Sequence, residues 1–124
     1  QLGDSILLKG QMTHNEICYY YNIASLLLNP GASGGLPNVI IEAIASELPV
    51  IATDFGATKD VVNEEKGTGI LIKNYDSQSI ESAILKILKK EFSGNFDRTL
   101  LEKFSFAGFG QELIKIYEKE KVRF

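Results

Sequence analysis

Three glycines, a proline and a carboxylate carry the chemistry open to this chain. Gly31, Gly34, Gly35, Pro37 and Glu42 all fall inside Asn29–Ala45, which reads NPGASGGLPNVIIEAIA. The apolar run Leu26-Leu27-Leu28 leads into the glycines, and Pro37 opens a helix that is aliphatic on most of its circumference. A strand, a glycine-rich loop and a helix start, in that order, make an anion site. The first-turn N–H groups have no helical partner, and the helix dipole favours negative charge there. Glycines let a ligand come close to the backbone, and proline at the first helical position gives up no helical bond.

Glu42 sits among Val39, Ile40, Ile41, Ala43 and Ile44. At 3.6 residues per turn, Asn38, Glu42 and Ser46 form one narrow polar stripe. Burying a carboxylate without a partner is costly, so Glu42 faces either water or a polar ligand. Spacing leaves both readings open.

The elements that must hold this stretch alternate between strand and helix. Ser5–Lys9, Ser25–Asn29, Pro49–Thr53 and Ile70–Lys73 read as short apolar strands. Thr13-His14-Asn15-Glu16 is a capping box, opening a helix with Ile17, Tyr20 and Tyr21 at core spacing. Pro37–Ser46 and Lys59–Asn63 are helical, and Asp76 caps a long helix, Ser77–Phe92, with Ile80, Ala83, Ile84, Ile87 and Leu88 inward. Ser93-Gly94-Asn95 breaks it, a helical stretch follows to about Lys103, and Ser105 caps a last helix, Phe106–Lys121. That helix is expected to bury Phe109, Leu113, Ile116 and Tyr117. This alternation predicts an α/β fold, a mostly parallel sheet of about four strands with helices on both faces. Ligands of such sheets bind beyond the carboxyl ends of the strands. Gly10-Gln11-Met12, Pro30–Pro37 and Asp54–Ala57 lie at those ends and are expected to converge on one crevice.

Composition bounds the function. At 124 residues the chain is one domain, and its net charge of −3 argues against a general affinity for nucleic acid. No apolar run reaches the roughly 18 residues of a membrane span, and no signal peptide is visible. The single Cys18 excludes an internal disulfide and fits a reducing, cytoplasmic compartment. The single His14 cannot build a metal site, and no cofactor is expected. Gln1 in place of a starting Met points to a piece of a longer protein.

The central stretch resembles the donor-site segment of the retaining GT-B glycosyltransferases, the glycosyl transferases group 1 family. That family carries P-S-x-x-E-G-[FL]-[GP]-x-x-x-x-E-A-x-A-x-G-x-P-V-[IV]-[AG]-[TS]. Pro30, Gly35-Leu36-Pro37, Glu42-Ala43, Ala45 and Pro49-Val50-Ile51-Ala52-Thr53 match it in register. The chain departs from it at Gly34, where the family's first Glu stands, and at Glu47, where the family has Gly. Gln1–Met12, Tyr20–Pro30 and Gly69–Asp76 are similar to flanking motifs of the same family, with Ser25 in place of an Asp.

The resemblance implies a Rossmann-like domain, the C-terminal half of GT-B, present in part over residues 1–124. It implies a nucleotide-diphosphate sugar as partner. Backbone groups of Gly10, Gln11 and Met12 would meet the base. Gly35 and the amides of Leu36, Asn38 and Val39 would hold the diphosphate, and Glu42 would bond the ribose hydroxyls. Gly34 leaves no catalytic carboxylate. The parent would add an N-terminal acceptor domain and two strands bearing an Arg and a Lys. It would transfer sugar to a glycan or lipid, with peripheral membrane association among its expected properties, and the 124-residue chain alone is expected to be inactive. The runner-up is a non-catalytic nucleotide-binding or interaction domain of the same fold; an epimerase or phosphorylase of that fold is a third reading. Without the two preceding strands, Ser25–Asn29 has an open edge. Ser5–Lys9 is expected to move in beside it, or two chains to pair through it as a homodimer.

Overall fold

Local chemistry sets where the helices start. The structure is a computed structural model and describes residues 3–31, 35–74, 76–92 and 95–121. Helix α1 (His14–Ile23) opens on the full capping box: Glu16 N–H donates to Thr13 Oγ1, and the Glu16 carboxylate accepts from the Thr13 N–H at 2.7 Å. Helix α2 (Asn38–Ala45) follows Pro37, and α3 (Thr58–Val61) is a single turn. Helix α4 (Ser77–Leu88) opens on Asp76, whose Oδ1 accepts from the Ser79 N–H at 2.7 Å. These bonds hold the Glu16 and Asp76 carboxyls below the usual carboxylate range. Helices α5 (Thr99–Phe104) and α6 (Phe106–Lys121) are joined at Ser105, whose Oγ accepts from the Gly108 N–H at 3.0 Å.

Between the helices run three parallel strands, β1 (Leu27–Asn29), β2 (Val50–Thr53) and β3 (Gly69–Ile72), side by side in that order. Leu28 pairs with Ile51, and Ile51 with Ile70. Every residue of β2 is buried, because helices cover both of its faces. Val50 and Ala52 pack with Tyr21 of α1, Ile40, Ala43 and Ile44 of α2, and Val61. Ile51, Ile70 and Ile72 pack on the other side against Ala83 and Ile87 of α4. Where β2 and β3 meet, a Cβ on Gly69 would lie 1.9 Å from the Val50 carbonyl oxygen, so only glycine fits there.

Helices α2 and α4 end alike. The Leu48 N–H donates to the Ala43 carbonyl and the Glu47 N–H to that of Ile44, both at 2.9 Å, with Glu47 left-handed at φ 57°. The Glu91 N–H donates to Lys86 and the Lys90 N–H to Ile87, both at 3.0 Å, with Lys90 also at φ 57°. Each is a Schellman motif built without glycine.

Three expectations fail. Ser5–Lys9 is not a strand: Gly3–Ser5 is a 3₁₀ turn, the next residues are irregular, and Ile6, Leu7 and Leu8 are exposed, Leu8 to 91%. A strand is held by a paired neighbour and a covered face, and this stretch has neither. Among the described residues the sheet therefore has three strands rather than about four, and no strand moves in beside β1. Leu28 is left 38% exposed on the face turned toward α4. The expected burial in α6 also fails: Phe109, Leu113, Ile116 and Tyr117 are all exposed. Helix α6 packs on α5, and only α5 reaches the core, through Leu100 and Leu101. Leu88, in the last turn of α4, is exposed as well, and the helix ends there rather than at Phe92, with Lys90 left-handed beyond it. The break at Ser93-Gly94 lies outside the described residues. Other boundaries shift by a residue or two.

Candidate functional site

The loop after β1 is tied to the end of β2. Thr53 Oγ1 donates to the Gly31 carbonyl at 2.8 Å, and the Gly31 N–H donates to Asn29 Oδ1 at 3.3 Å. The turn after β2 closes on the same loop. Gly56 is left-handed (φ 58°), and a Cβ built on it would stand 3.1 Å from the Gly35 carbonyl oxygen. Only glycine lets the backbones of residues 35 and 56 approach this closely without strain. Thr58, buried below that turn, accepts from the Phe55 N–H at 3.2 Å and reaches the Thr53 and Phe55 carbonyls at 2.7 Å. The loops after β1 and β2 thus form one wall at the carboxyl end of the sheet, as the alternation predicts.

The start of α2 opens onto this wall. Pro37 is its N-cap (φ −61°, ψ 131°), one residue earlier than a first helical position, and it supplies no side-chain cap. Helices α1, α4 and α6 have such a cap, from Thr13, Asp76 and Ser105, whereas the short helices α3 and α5 lack one as α2 does. Ile40 N–H donates to the Pro37 carbonyl at 3.0 Å, while the first-turn positions Asn38 and Val39 are exposed. The α2 start therefore presents the positive end of the helix dipole.

One turn further along, Glu42 does not simply face water. It is half-buried, and Tyr21 Oη donates to its Oε2 at 3.0 Å. Tyr21 is 7% exposed, packed with Ile40 and Ile44. Burial, then the hydrogen bond to the Glu42 carboxylate, push its phenol up to about 12. On the same stripe, Ser46 Oγ donates to the Glu42 carbonyl at 3.0 Å and Asn38 is exposed. Of the polar stripe, only Glu42 is held from another helix by a side-chain bond.

Of the residues singled out in the sequence, Gly35, Leu36, Asn38, Val39 and Glu42 are gathered at this wall and the start of α2. Gly34 lies outside the described residues. Gly10, Gln11 and Met12 precede α1 with Gly10 at φ 66°, and among the described residues no hydrogen bond ties them to either loop. No Lys or Arg stands in these three segments. Among the described residues no cluster of three His, Cys, Asp or Glu could hold a metal, and no helix is long and apolar enough to cross a membrane. A hollow of 620 Å³ lies elsewhere, between β3 and α4, lined by Lys73, Asn74, Asp76 and Lys86 among others; it shares no residue with the set above.

Two contacts escape sequence reading. The Tyr21–Glu42 bond joins residues 21 positions apart. Cys18 Sγ lies 3.6 Å from His14 Nε2, a pair whose i,i+4 spacing could have been noticed.

The glycosyl transferases group 1 family matches residues 1–105. The chain is 30% identical to a Bacillus subtilis (strain 168) protein named for a glycosyltransferase role in teichuronic acid biosynthesis, TuaC, over 79% of this chain and 26% of that protein. It is 36% identical to the capsular polysaccharide biosynthesis glycosyltransferase CapM of Staphylococcus aureus, over 79% and 27% respectively. An uncharacterized glycosyltransferase of Methanocaldococcus jannaschii is 26% identical over 92% of this chain and 33% of its own length. The chain thus spans about a quarter to a third of these relatives.

Proposed function

The chain belongs to the glycosyl transferases group 1 family, and on that premise we propose that it is the donor-binding, C-terminal part of a retaining GT-B glycosyltransferase. Residues 1–124 form one partial domain in this reading. The observation that carries it is the uncapped start of α2 beside the Gly35–Gly56 wall, with an oriented carboxylate one turn along. Amides at Leu36, Asn38 and Val39 hold the diphosphate of a nucleotide sugar, and Gly35 lets it approach. Glu42 accepts from the ribose hydroxyls, and the backbone at Gly10, Gln11 and Met12 meets the base.

In the reaction, the bond from the sugar's anomeric carbon to the diphosphate oxygen breaks, one to an acceptor hydroxyl oxygen forms, and the hydroxyl's proton passes to the departing diphosphate. Amides aimed at the leaving diphosphate stabilise its growing charge. A helix start contributes roughly 0.3–1 kcal/mol, up to about 2, so further cations are needed, and the family's preceding strands would supply an Arg and a Lys. The relatives' names point to a polysaccharide or related glycan as acceptor, held by an N-terminal domain of the parent. That parent works in the cytoplasm, at the membrane surface where its acceptor is lipid-linked. The open β1 edge suits those preceding strands or a second chain as a homodimer.

Gly34 in place of the family's first Glu favours a second reading, a domain that binds nucleotide without catalysis. Both readings place the nucleotide at Glu42, so calorimetry with UDP and GDP tests what they share. Glu42→Ala is expected to weaken binding by about 1–3 kcal/mol, as for a bond to a charged group; equal affinity would leave Glu42 with its Tyr21 bond and no part in binding. The 124-residue chain alone is expected to release no nucleotide from UDP- or GDP-sugars above a blank. Measurable release would overturn that expectation.

A further inference from the structure

The carboxylate of a glutamate turns about a broad, roughly two-fold terminal torsion, so it has no strongly preferred orientation of its own. Tyr21 removes that freedom. Its ring is buried in the same core cluster as Ile40 and Ile44, its helix opens on the Thr13–Glu16 capping box, and its hydroxyl reaches Glu42 Oε2 at 3.0 Å. One donor on Oε2 leaves Oε1 and a lone pair of Oε2 for further donors. Two vicinal hydroxyls are a matching pair of donors. We propose that Tyr21 is a positioning residue: its hydroxyl sets the rotation of the Glu42 carboxylate so that it receives both hydroxyls of a ribose.

This rests on the reading of Glu42 given above. It differs from a packing role in one respect. Phenylalanine would fill the same space in the core, and only the hydroxyl would be lost.

The test titrates the 124-residue chain, wild type and variants, with UDP and GDP and with their 2′,3′-dideoxy counterparts. Tyr21→Phe is expected to bind the ribonucleotide about 3–10-fold more weakly, the range of one hydrogen bond, and the dideoxy nucleotide as wild type does. Added to Glu42→Ala, it is expected to cause no further loss. Equal weakening of ribo- and dideoxynucleotides by Tyr21→Phe means packing alone and overturns the inference. So does an unchanged Tyr21→Phe beside a weakened Glu42→Ala, which leaves the reading of Glu42 standing. An inert Glu42→Ala, or a wild type that binds neither nucleotide, overturns that reading and this inference with it. Glu42→Asp withdraws the carboxylate from the phenol by one methylene without touching the α1 core. It is expected to lose the preference for the ribonucleotide, and retained preference counts against positioning.

Discussion

Helices α2 and α6 both carry an apolar stripe at helical spacing, yet Ile40, Ala43 and Ile44 of α2 are buried while Phe106, Phe109, Ile114 and Tyr117 of α6 stand in solvent. Helix α2 connects two paired strands, so the crossover lays it on the sheet and its stripe is covered by Val50 and Ala52. Helix α6 has no strand on either side among the described residues and meets the domain through α5. Periodicity tells which face of a helix is apolar; only topology tells whether anything covers it.

Truncation separates the two helices most sharply. Ile40→Ala, at a fully buried site, is expected to cost about 2–5 kcal/mol. Ile116→Ala, on the exposed face of α6, should stay within about 0.5 kcal/mol. Urea denaturation of both variants reads the difference, and comparable losses would mean that α6 is covered in solution.

A smaller effect lies at the C-terminus of α2. Left-handed Glu47 carries a strain of about 1–2 kcal/mol for a residue with a Cβ. Its exposed ion pair with Arg98 offsets little of that. Glu47→Gly is thus expected to stabilise the chain by about 1 kcal/mol, and Lys90→Gly at the end of α4 should do likewise. A lowered denaturation midpoint for both would mean that the Schellman geometry is not strained.

The α2 side also responds to pH, through Tyr21. Because the folded phenol of Tyr21 is raised to about 12 from an ordinary 10.0, folding holds its proton more tightly than the unfolded chain does. The stability linked to it is complete below about pH 10 and declines as pH rises through 12. Ultraviolet titration of phenolate should show a late step that is missing in Tyr21→Phe. A wild-type titration with no late step would contradict it.

Caps were legible in the sequence because they are local: Thr13, Asp76 and Ser105 each act within three residues. The buried strands were legible because continuous apolar runs of that length have little else to become. Ser5–Lys9 (SILLK) carries an apolar run like that of Ser25–Asn29 (SLLLN) and meets a different fate, since a strand depends on a neighbour that composition does not reveal. The left-handed Glu47 was foreshadowed by the glycine that the resembled family places there. Glu42 and Tyr21 were each noticed, one as a polar stripe and the other as a core residue. The bond between them depends on how α1 packs against α2, which neither segment encodes alone.

The sheet order β1-β2-β3 is also the order in which the strands are synthesised. Each new strand finds its neighbour already made, after twenty intervening residues (30–49) and then fifteen (54–68). Loop closure over such spans grows only with the logarithm of their length. For a parallel sheet, this is an arrangement of low contact order, and it favours quick assembly from β1 onward as the chain emerges. Nothing in these three strands has to wait for a distant segment before it can pair.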